Sequence, residues 1–152
     1  MSTVFHQLGV TPIINGKGPA TRLSGSLLRP EVAEAMVEAS RHCVDIAELQ
    51  AATGAYIAEV TGAESGYVSN GAASGLMLAA AACIAGHDLD AMNRLPDTTG
   101  LNNEIIVARS HRNMYDHAVR TAGATLVEIG VADRYAGAGV RDAEPWVYAA
   151  AI

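Results

Sequence analysis

The sequence predicts an α/β protein in which an N-terminal arm and helices precede part of a mainly parallel sheet flanked by helices. Half of the 152 residues are hydrophobic but only 5% are aromatic, and Ala and Gly are abundant. Such a composition suits helices that pack closely on a sheet. Short apolar runs at residues 105–108 and 124–129 stand on either side of a helical pattern. Strands that alternate with helices favour a parallel, doubly wound sheet.

The N-terminal region is predicted to form an arm and a first helix over residues 1–44, followed by a partial large domain over residues 45–152. Residues 4–15 are expected to be extended, and residues 16–26 to form a loop rich in Gly and Ser. Pro30 then opens a helix at its favoured first position. The apolar residues of this helix recur at helical spacing and are expected to form one buried face: Val32, Ala35, Met36, Ala39 and Cys43.

A second helix is predicted to begin at Asp45, because Asp45 and Glu48 have the spacing of a capping box. Gly62 is expected to end this helix. Its apolar side is expected to be formed by Ile46, Leu49, Tyr56 and Val60. Farther along the chain, the polar residues 87–103 are expected to be irregular.

Residues 66–86 predict a short strand, a tight turn of small residues and a buried helix. The helical run is too short and too rich in Ala to cross a bilayer. A helix that begins without bulky side chains leaves backbone N–H groups free to bind an anion. The same small residues could instead serve only to let the helix approach the sheet. The residues that could bind an anion at this turn are Ser69, Asn70, Gly71, Ala72 and Ala73.

A second group of polar residues follows the strand at residues 105–108. The carboxyl ends of parallel strands meet the crevice where ligands bind. There His111 could stack on a flat ring and Arg112 could pair with an anion. Alternatively, His111 is only a polar residue at a helix start. The helix is predicted over residues 113–122, with Gly123 closing it before the next strand.

Charge and cysteine spacing exclude several classes of site. The net charge is −6 and the arginines are scattered, so no nucleic-acid surface is predicted. Cys43 and Cys83 match no metal-ligand spacing and are expected to be free, buried thiols, and no metal site is predicted.

No secretory signal is evident, so the cytoplasm is expected. Residues 144–152 are predicted to start a buried strand in which the chain stops, as if it were cut short.

Several short motifs occur in an order that resembles one enzyme family. They lie at residues 13–16, 20–26, 62–64, 69–74, 95–97, 103–106, 111–116 and 122–124. In this order they resemble the selenocysteine synthase-like pyridoxal-phosphate enzymes of fold type I, particularly the D-glucosaminate-6-phosphate ammonia-lyase branch. The resemblance runs from Thr11 to Ile152. It implies an incomplete large domain of that fold and a homodimer or higher homo-oligomer.

The resemblance also implies roles for individual residues. The turn at residues 70–73, flanked by Ser69, matches the loop that binds the phosphate of pyridoxal 5′-phosphate. His111 matches the residue expected to stack on the pyridine ring, with Tyr115 as the second choice. Arg22 matches a region near the active site, and Arg22 and Arg112 are candidates for binding a phosphate or carboxylate of the substrate.

Lys17 is the main departure from the family. Pyridoxal-phosphate enzymes hold their cofactor on a lysine through a Schiff base, and Lys17 is the sole lysine, placed far upstream. In such relatives the lysine lies beyond the position of Ile152. We therefore expect an N-terminal portion without a catalytic residue of its own, which is inactive alone.

The function that the resemblance implies is a pyridoxal-phosphate-dependent lyase of the ammonia-lyase, β-elimination type, acting on an amino acid or amino sugar acid. One alternative is a selenium transferase acting on seryl-tRNA, which the net charge of −6 disfavours. The other is a non-catalytic α/β module that binds an anion.

Overall fold

A computed structural model of the chain describes residues 3–130 and 144–152. The chain divides into two compact units between Leu49 and Gln50. The helices are α1 (Val4–Gln7), α2 (Pro30–Ala39), α3 (Ile46–Thr61), α4 (Ala72–Ala85), α5 (Leu89–Arg94), α6 (Asp116–Thr121) and α7 (Pro145–Ala149), and the strands are β1 (Glu104–Ala108) and β2 (Thr125–Ile129).

The first unit confirms the helix that opens at Pro30 but not the burial of its apolar face. Residues 4–15 are not wholly extended, because Thr3 caps the short helix α1 within them. In α2, no residue is buried, and the side chains of Val32 and Met36 are 43% and 59% exposed. Ala35, Ala39 and Cys43 are exposed as well. An amphipathic pattern shows which face a partner would cover, and the described part of this unit offers no long element to cover it.

The predicted start and end of α3 are confirmed. The Asp45 carboxylate accepts hydrogen bonds from the backbone N–H groups of Ala47 and Glu48, at 2.8 and 3.1 Å. Gly62 follows the helix with a φ of +72°, a left-handed conformation that glycine adopts without strain. The predicted apolar side is wrong, because its members are 47–67% exposed: Ile46, Leu49, Tyr56 and Val60.

The buried residue of α3 is Gly54, where the helix meets the segment that leads to α4. A Cβ atom on Gly54 would lie 2.3 Å from the carbonyl oxygen of Gly66. The side-chain amide of Gln50 also binds this segment, donating to the Val68 carbonyl at 2.7 Å and accepting from the Val68 N–H at 3.2 Å. The strand predicted here is therefore wrong: Val68 pairs with a side chain and not with another strand.

The predicted helix after this segment is confirmed as α4, which contacts α5 and α6. Only Ala80 and Ala85 are buried in it, so the prediction of a buried helix is wrong for most of its surface. Cys83 is exposed, and so is Cys43; both thiols are free as predicted but neither is buried. Ala side chains cover little area, so a small-residue helix stays exposed unless larger elements enclose it.

Residues 87–103 contain the helix α5, which the sequence interpretation missed. The Asp88 carboxylate accepts from the N–H groups of Asp90 and Ala91 at 2.9 and 3.2 Å, capping the helix. An Asp directly before an apolar residue was a usable signal for a helix start.

The two strands form the parallel pair that the sequence predicts. Glu104 stands beside Thr125 and Ala108 beside Ile129 in the register. The helix α6 connects the strands, as a parallel crossover requires, and is shorter than the predicted 113–122. Gly123 turns the chain into β2 with a φ of +94°.

The strand predicted at residues 144–152 is wrong, because this segment forms α7. Pro145 occupies the first turn of the helix, where the missing N–H of proline costs nothing. The alanines that follow are strong helix formers. Within the described ranges, no helix combines the length and apolar character that a bilayer span needs.

The close approach of α3 to Gly66 predicts the effect of Gly54→Ala. An alanine usually stabilises a helix interior, but here its methyl group meets a backbone carbonyl at 2.3 Å. We expect the free energy of unfolding, measured with urea, to fall by about 2 kcal/mol. The matched control is Gly75→Ala in α4, whose Cβ would meet only the Ser69 hydroxyl at 3.4 Å. Equal stability of the two variants would contradict this packing.

Candidate functional site

The amino end of α4 carries no side-chain cap. Gly71 is the capping residue, with φ 155° and ψ 169°, and as a glycine it has no side chain that could accept a hydrogen bond from the first turn. The first turn also contains no acidic residue. The first N–H groups of a helix have no partner within the helix and carry partial positive charge. This end of α4 can therefore accept an anion from outside.

The residues before α4 form one tight turn around this helix end. The Ser69 hydroxyl donates to the Gly71 carbonyl oxygen at 3.0 Å, and the Gly75 N–H donates to the same oxygen at 3.0 Å. A Cβ atom on Gly71 would have nothing within 4 Å, so the space beside it is open. Asn70, Ala72 and Ala73 are exposed. The five residues predicted to bind an anion thus lie together in the turn.

His111 lies at the carboxyl end of β1, in a 3₁₀ turn over Arg109–His111. The turn is closed by a hydrogen bond from the Arg112 N–H to the Arg109 carbonyl at 3.3 Å. The carbonyl of His111 accepts from the side-chain amide of Asn113 at 2.8 Å. His111 is exposed, so its imidazole is accessible to a ligand.

Arg112 lies in an ion-pair cluster with Arg109, Asp116 and Glu128, hereafter the Glu128 cluster. One oxygen of Glu128 lies 2.6 Å from Nε of Arg109, and the other lies 2.5 Å from Nη1 of Arg112. Nε of Arg112 also pairs with Asp116 at 2.5 Å. The candidate substrate-binding arginine is thus already paired with two carboxylates.

These ion pairs shift the pKa values of the cluster. The hydrogen bond from Arg109, followed by the one from Arg112, lowers the pKa of Glu128 from its ordinary value of 4.5. The hydrogen bond from Arg112 lowers the pKa of Asp116 from 3.8. The same bond raises the pKa of Arg112. The cluster holds two positive and two negative charges near neutral pH.

Arg109 and Glu128 were missed by sequence reasoning. Glu128 could have been found, because a charged residue in a mostly apolar strand segment indicates that its side chain has a partner of opposite charge. In the parallel register Glu128 stands beside Val107, and its carboxylate reaches the turn that follows β1. The sequence position of Arg109 gives no indication that it pairs with Glu128.

Arg22 and Lys17 both belong to the first unit. Arg22 is exposed in a 3₁₀ turn over Thr21–Leu23. Lys17 is exposed, and its backbone N–H donates to the side-chain oxygen of Asn15 at 2.9 Å. The described second unit, which contains the 69–75 turn and His111, contains no lysine.

Comparison with known proteins shows relatives among characterised enzymes. The chain is 37% identical over 131 residues to a 5′-C-glycyluridine monooxygenase-decarboxylase of a Streptomyces species, a match covering 83% of this chain and 33% of the relative. It is 34% identical over 131 residues to a D-glucosaminate-6-phosphate ammonia lyase of Salmonella typhimurium, covering 84% of this chain and 36% of the relative. No protein-family model matches.

The fold is similar to a solved structure of D-glucosaminate-6-phosphate ammonia-lyase. The TM-score is 0.82 at 34% identity, and the match covers 86% of this chain and 36% of that structure. The chain therefore spans about a third of the length of the curated relatives it matches.

The parallel strands with flanking helices and the structural match give the chain the α/β fold of the corresponding part of an ammonia-lyase structure. The chain is homologous to D-glucosaminate-6-phosphate ammonia lyase. Both the predicted fold class and the family resemblance of the ordered motifs are confirmed.

The lowered pKa values predict acid sensitivity of the second unit. A carboxyl group whose pKa is lower in the folded state stabilises that state above its ordinary pKa and loses this effect as the pH falls. We expect the free energy of unfolding to begin to fall near pH 4.5, where unfolded Glu128 titrates, and to keep falling through the lowered folded values of Glu128 and Asp116.

Urea unfolding at pH values from 7 to 3 measures this dependence. Asp116→Asn should show a shallower fall, because one of the shifted carboxyl groups is gone. The matched control is Asp90→Asn, which removes a carboxylate from the first turn of α5, outside the Glu128 cluster. An identical pH dependence in Asp116→Asn and wild type would contradict the assignment.

Proposed function

We propose that this chain supplies the phosphate-binding turn and the ring-stacking residue of a pyridoxal-phosphate-dependent lyase acting on an amino acid or amino sugar acid. The observation that carries the proposal is the uncapped amino end of α4 in a homologue of an ammonia lyase. Pyridoxal phosphate, when bound, supplies an electron sink for bonds at the carbon that bears the amine.

The 69–75 turn fits the phosphate of this cofactor. The N–H groups of Ala72 and Ala73 belong to the uncapped first turn of α4, where the helix dipole favours negative charge. The Asn70 amide belongs to the same turn and can donate a further hydrogen bond, whereas the Ser69 hydroxyl would have to release the Gly71 carbonyl in order to donate to a phosphate. The open space beside Gly71 leaves room for the phosphate oxygens.

His111 is proposed to lie against one face of the pyridine ring. It is exposed on a turn whose two ends are tied to β2 and α6 through the Glu128 cluster. An imidazole stacked on the ring would orient the cofactor and exclude water from that face.

Arg22 and Arg112 are each proposed as a candidate for binding a phosphate or carboxylate of the substrate. Arg112 would have to exchange one of its carboxylate partners for the substrate. Arg22 is exposed and its side chain is in none of the ion pairs found among the described residues. No residue of this chain is proposed to transfer the proton from the substrate, because its only lysine, Lys17, lies in the loop of residues 16–26, where the family that the chain resembles has no Schiff-base lysine.

A second candidate reaction is the oxidative decarboxylation carried out by the Streptomyces relative. The observation that favours it is the 37% identity to that enzyme, against 34% to the ammonia lyase. Both substrates, as their names describe them, contain an α-amino acid unit. Oxygen uptake by the enzyme that contains this chain would support the oxygenase, whereas ammonia release without oxygen uptake would support the lyase.

A homodimer or higher homo-oligomer in the cytoplasm is part of the proposal. Large apolar side chains of the first unit are fully exposed, including Ile14 and Leu27 at 101% and 100%. Exposed apolar surface of this kind is typical of surfaces that another chain or domain covers.

The net charge of −6 favours a small-molecule substrate over tRNA.

Ala72→Asp tests the phosphate-binding turn. The new carboxylate would occupy the helix end and repel a phosphate, so the dissociation constant for pyridoxal phosphate should rise by about tenfold or more. The measurement is a titration followed by ¹⁵N chemical shifts of the backbone N–H groups at the start of α4.

The matched control is Ala79→Asp, which adds the same charge at an exposed position in the middle of α4. We expect the control to bind pyridoxal phosphate nearly as tightly as wild type. Equal weakening in both variants would mean that general charge and not the helix end governs binding. Shift changes centred on Arg22 and absent from Ala72 and Ala73 would overturn the proposal.

A further inference from the structure

We propose that Glu128 is a positioning residue for His111. Its carboxylate bridges Arg109 and Arg112, and these two arginines flank the Ser110–His111 pair. The use of His111 as a stacking residue rests on the proposed function. The bridge itself is a property of this chain and can be tested without any ligand.

The bridge uses both oxygens of one side chain. Oε1 of Glu128 accepts from Nε of Arg109 at 2.6 Å, and Oε2 accepts from Nη1 of Arg112 at 2.5 Å. The Glu128 side chain is 29% exposed and Arg112 is 33% exposed, so neither is a freely solvated surface charge. Charge-assisted bonds in a connected network hold geometry better than an isolated surface pair.

The effect of the bridge is to fix a short turn at both ends. Residues 109–112 follow β1, and the bridge attaches the first and the last of these four residues to β2. A third bond, from Nε of Arg112 to Asp116 at 2.5 Å, attaches the same turn to α6. The backbone of His111 is thereby held between β2 and α6, while its exposed side chain carries none of these bonds.

The Glu128 cluster carries no net charge, so its proposed role differs from the phosphate binding proposed for the 69–75 turn. Two arginines and two carboxylates cancel, so the cluster does not attract a phosphate strongly. Removing the Glu128 charge should leave phosphate binding unchanged or slightly stronger, because the protein becomes less negative. If Glu128 positions His111, removing its charge should therefore make the His111 backbone less ordered without weakening phosphate binding.

Glu128→Gln tests the bridge, because the amide is uncharged and places an NH₂ donor where one of the two carboxylate oxygens accepts from an arginine. The first measurement is the ¹⁵N order parameter of the His111 N–H in the chain without ligand. We expect it to fall from about 0.85 towards the flexible range below about 0.6. The second is the upfield shift of the His111 ring proton on addition of pyridoxal phosphate, which should shrink or disappear.

The matched control is Glu104→Gln, which removes the same charge from the exposed first residue of β1. The control should keep the order parameter and the ring shift of wild type. If Glu128→Gln does not fold, Arg109→Gln cuts one arm of the bridge at a side chain that is 50% exposed, and the same two measurements apply.

An unchanged His111 order parameter in a folded variant would overturn the proposal, and a lower unfolding free energy alone would mark Glu128 as merely structural. The proposed function fails separately: if pyridoxal phosphate shifts no N–H group of the 69–75 turn in wild type, that function is wrong. The order parameter still decides whether Glu128 positions His111.

Discussion

The parallel pairing of β1 and β2 is the constraint on which the candidate site depends. Parallel strands require a crossover, and α6 supplies it between Ala108 and Thr125. The carboxyl ends of both strands then lie at the same edge, which is why a glutamate of β2 can reach the turn that follows β1. The contact between Glu128 and the turn that carries His111 depends on this register, since a shift of one residue would turn the Glu128 side chain to the opposite face.

Two kinds of positive group occur in this unit, and they have different uses. The amino end of α4 offers backbone N–H groups and has no acidic residue in its first turn, which suits a bound phosphate. The arginines beside His111 are paired with Glu128 and Asp116, so they hold the turn unless Arg112 exchanges a carboxylate partner for a substrate anion. A cofactor phosphate and a stacking imidazole thus need not compete for the same charges.

The sequence predicted most helices and strands correctly, but it predicted poorly which side chains are buried and which distant residues meet. The start of α3 at Asp45 and the strands beside α6 follow from capping and apolar runs that act over a few residues. The exposure of Met36 and Tyr56 could not be foreseen, because burial depends on elements far away in the chain or outside it. The helix α7 was mistaken for a strand because Trp146 and Val147 outweighed the signal of Pro145. In the site, the 69–75 turn was visible in the spacing of small residues, but the Glu128 bridge depends on strand register.

A crystal structure of the chain grown with pyridoxal 5′-phosphate would show where the phosphate of the cofactor binds. We expect phosphate oxygens about 3 Å from the backbone nitrogens of Ala72 and Ala73, the length of an N–H···O hydrogen bond. We also expect the pyridine ring to lie parallel to the imidazole of His111. A cofactor phosphate bound by Arg109 or Arg112, with the amino end of α4 empty, would show that the helix end is not the phosphate site.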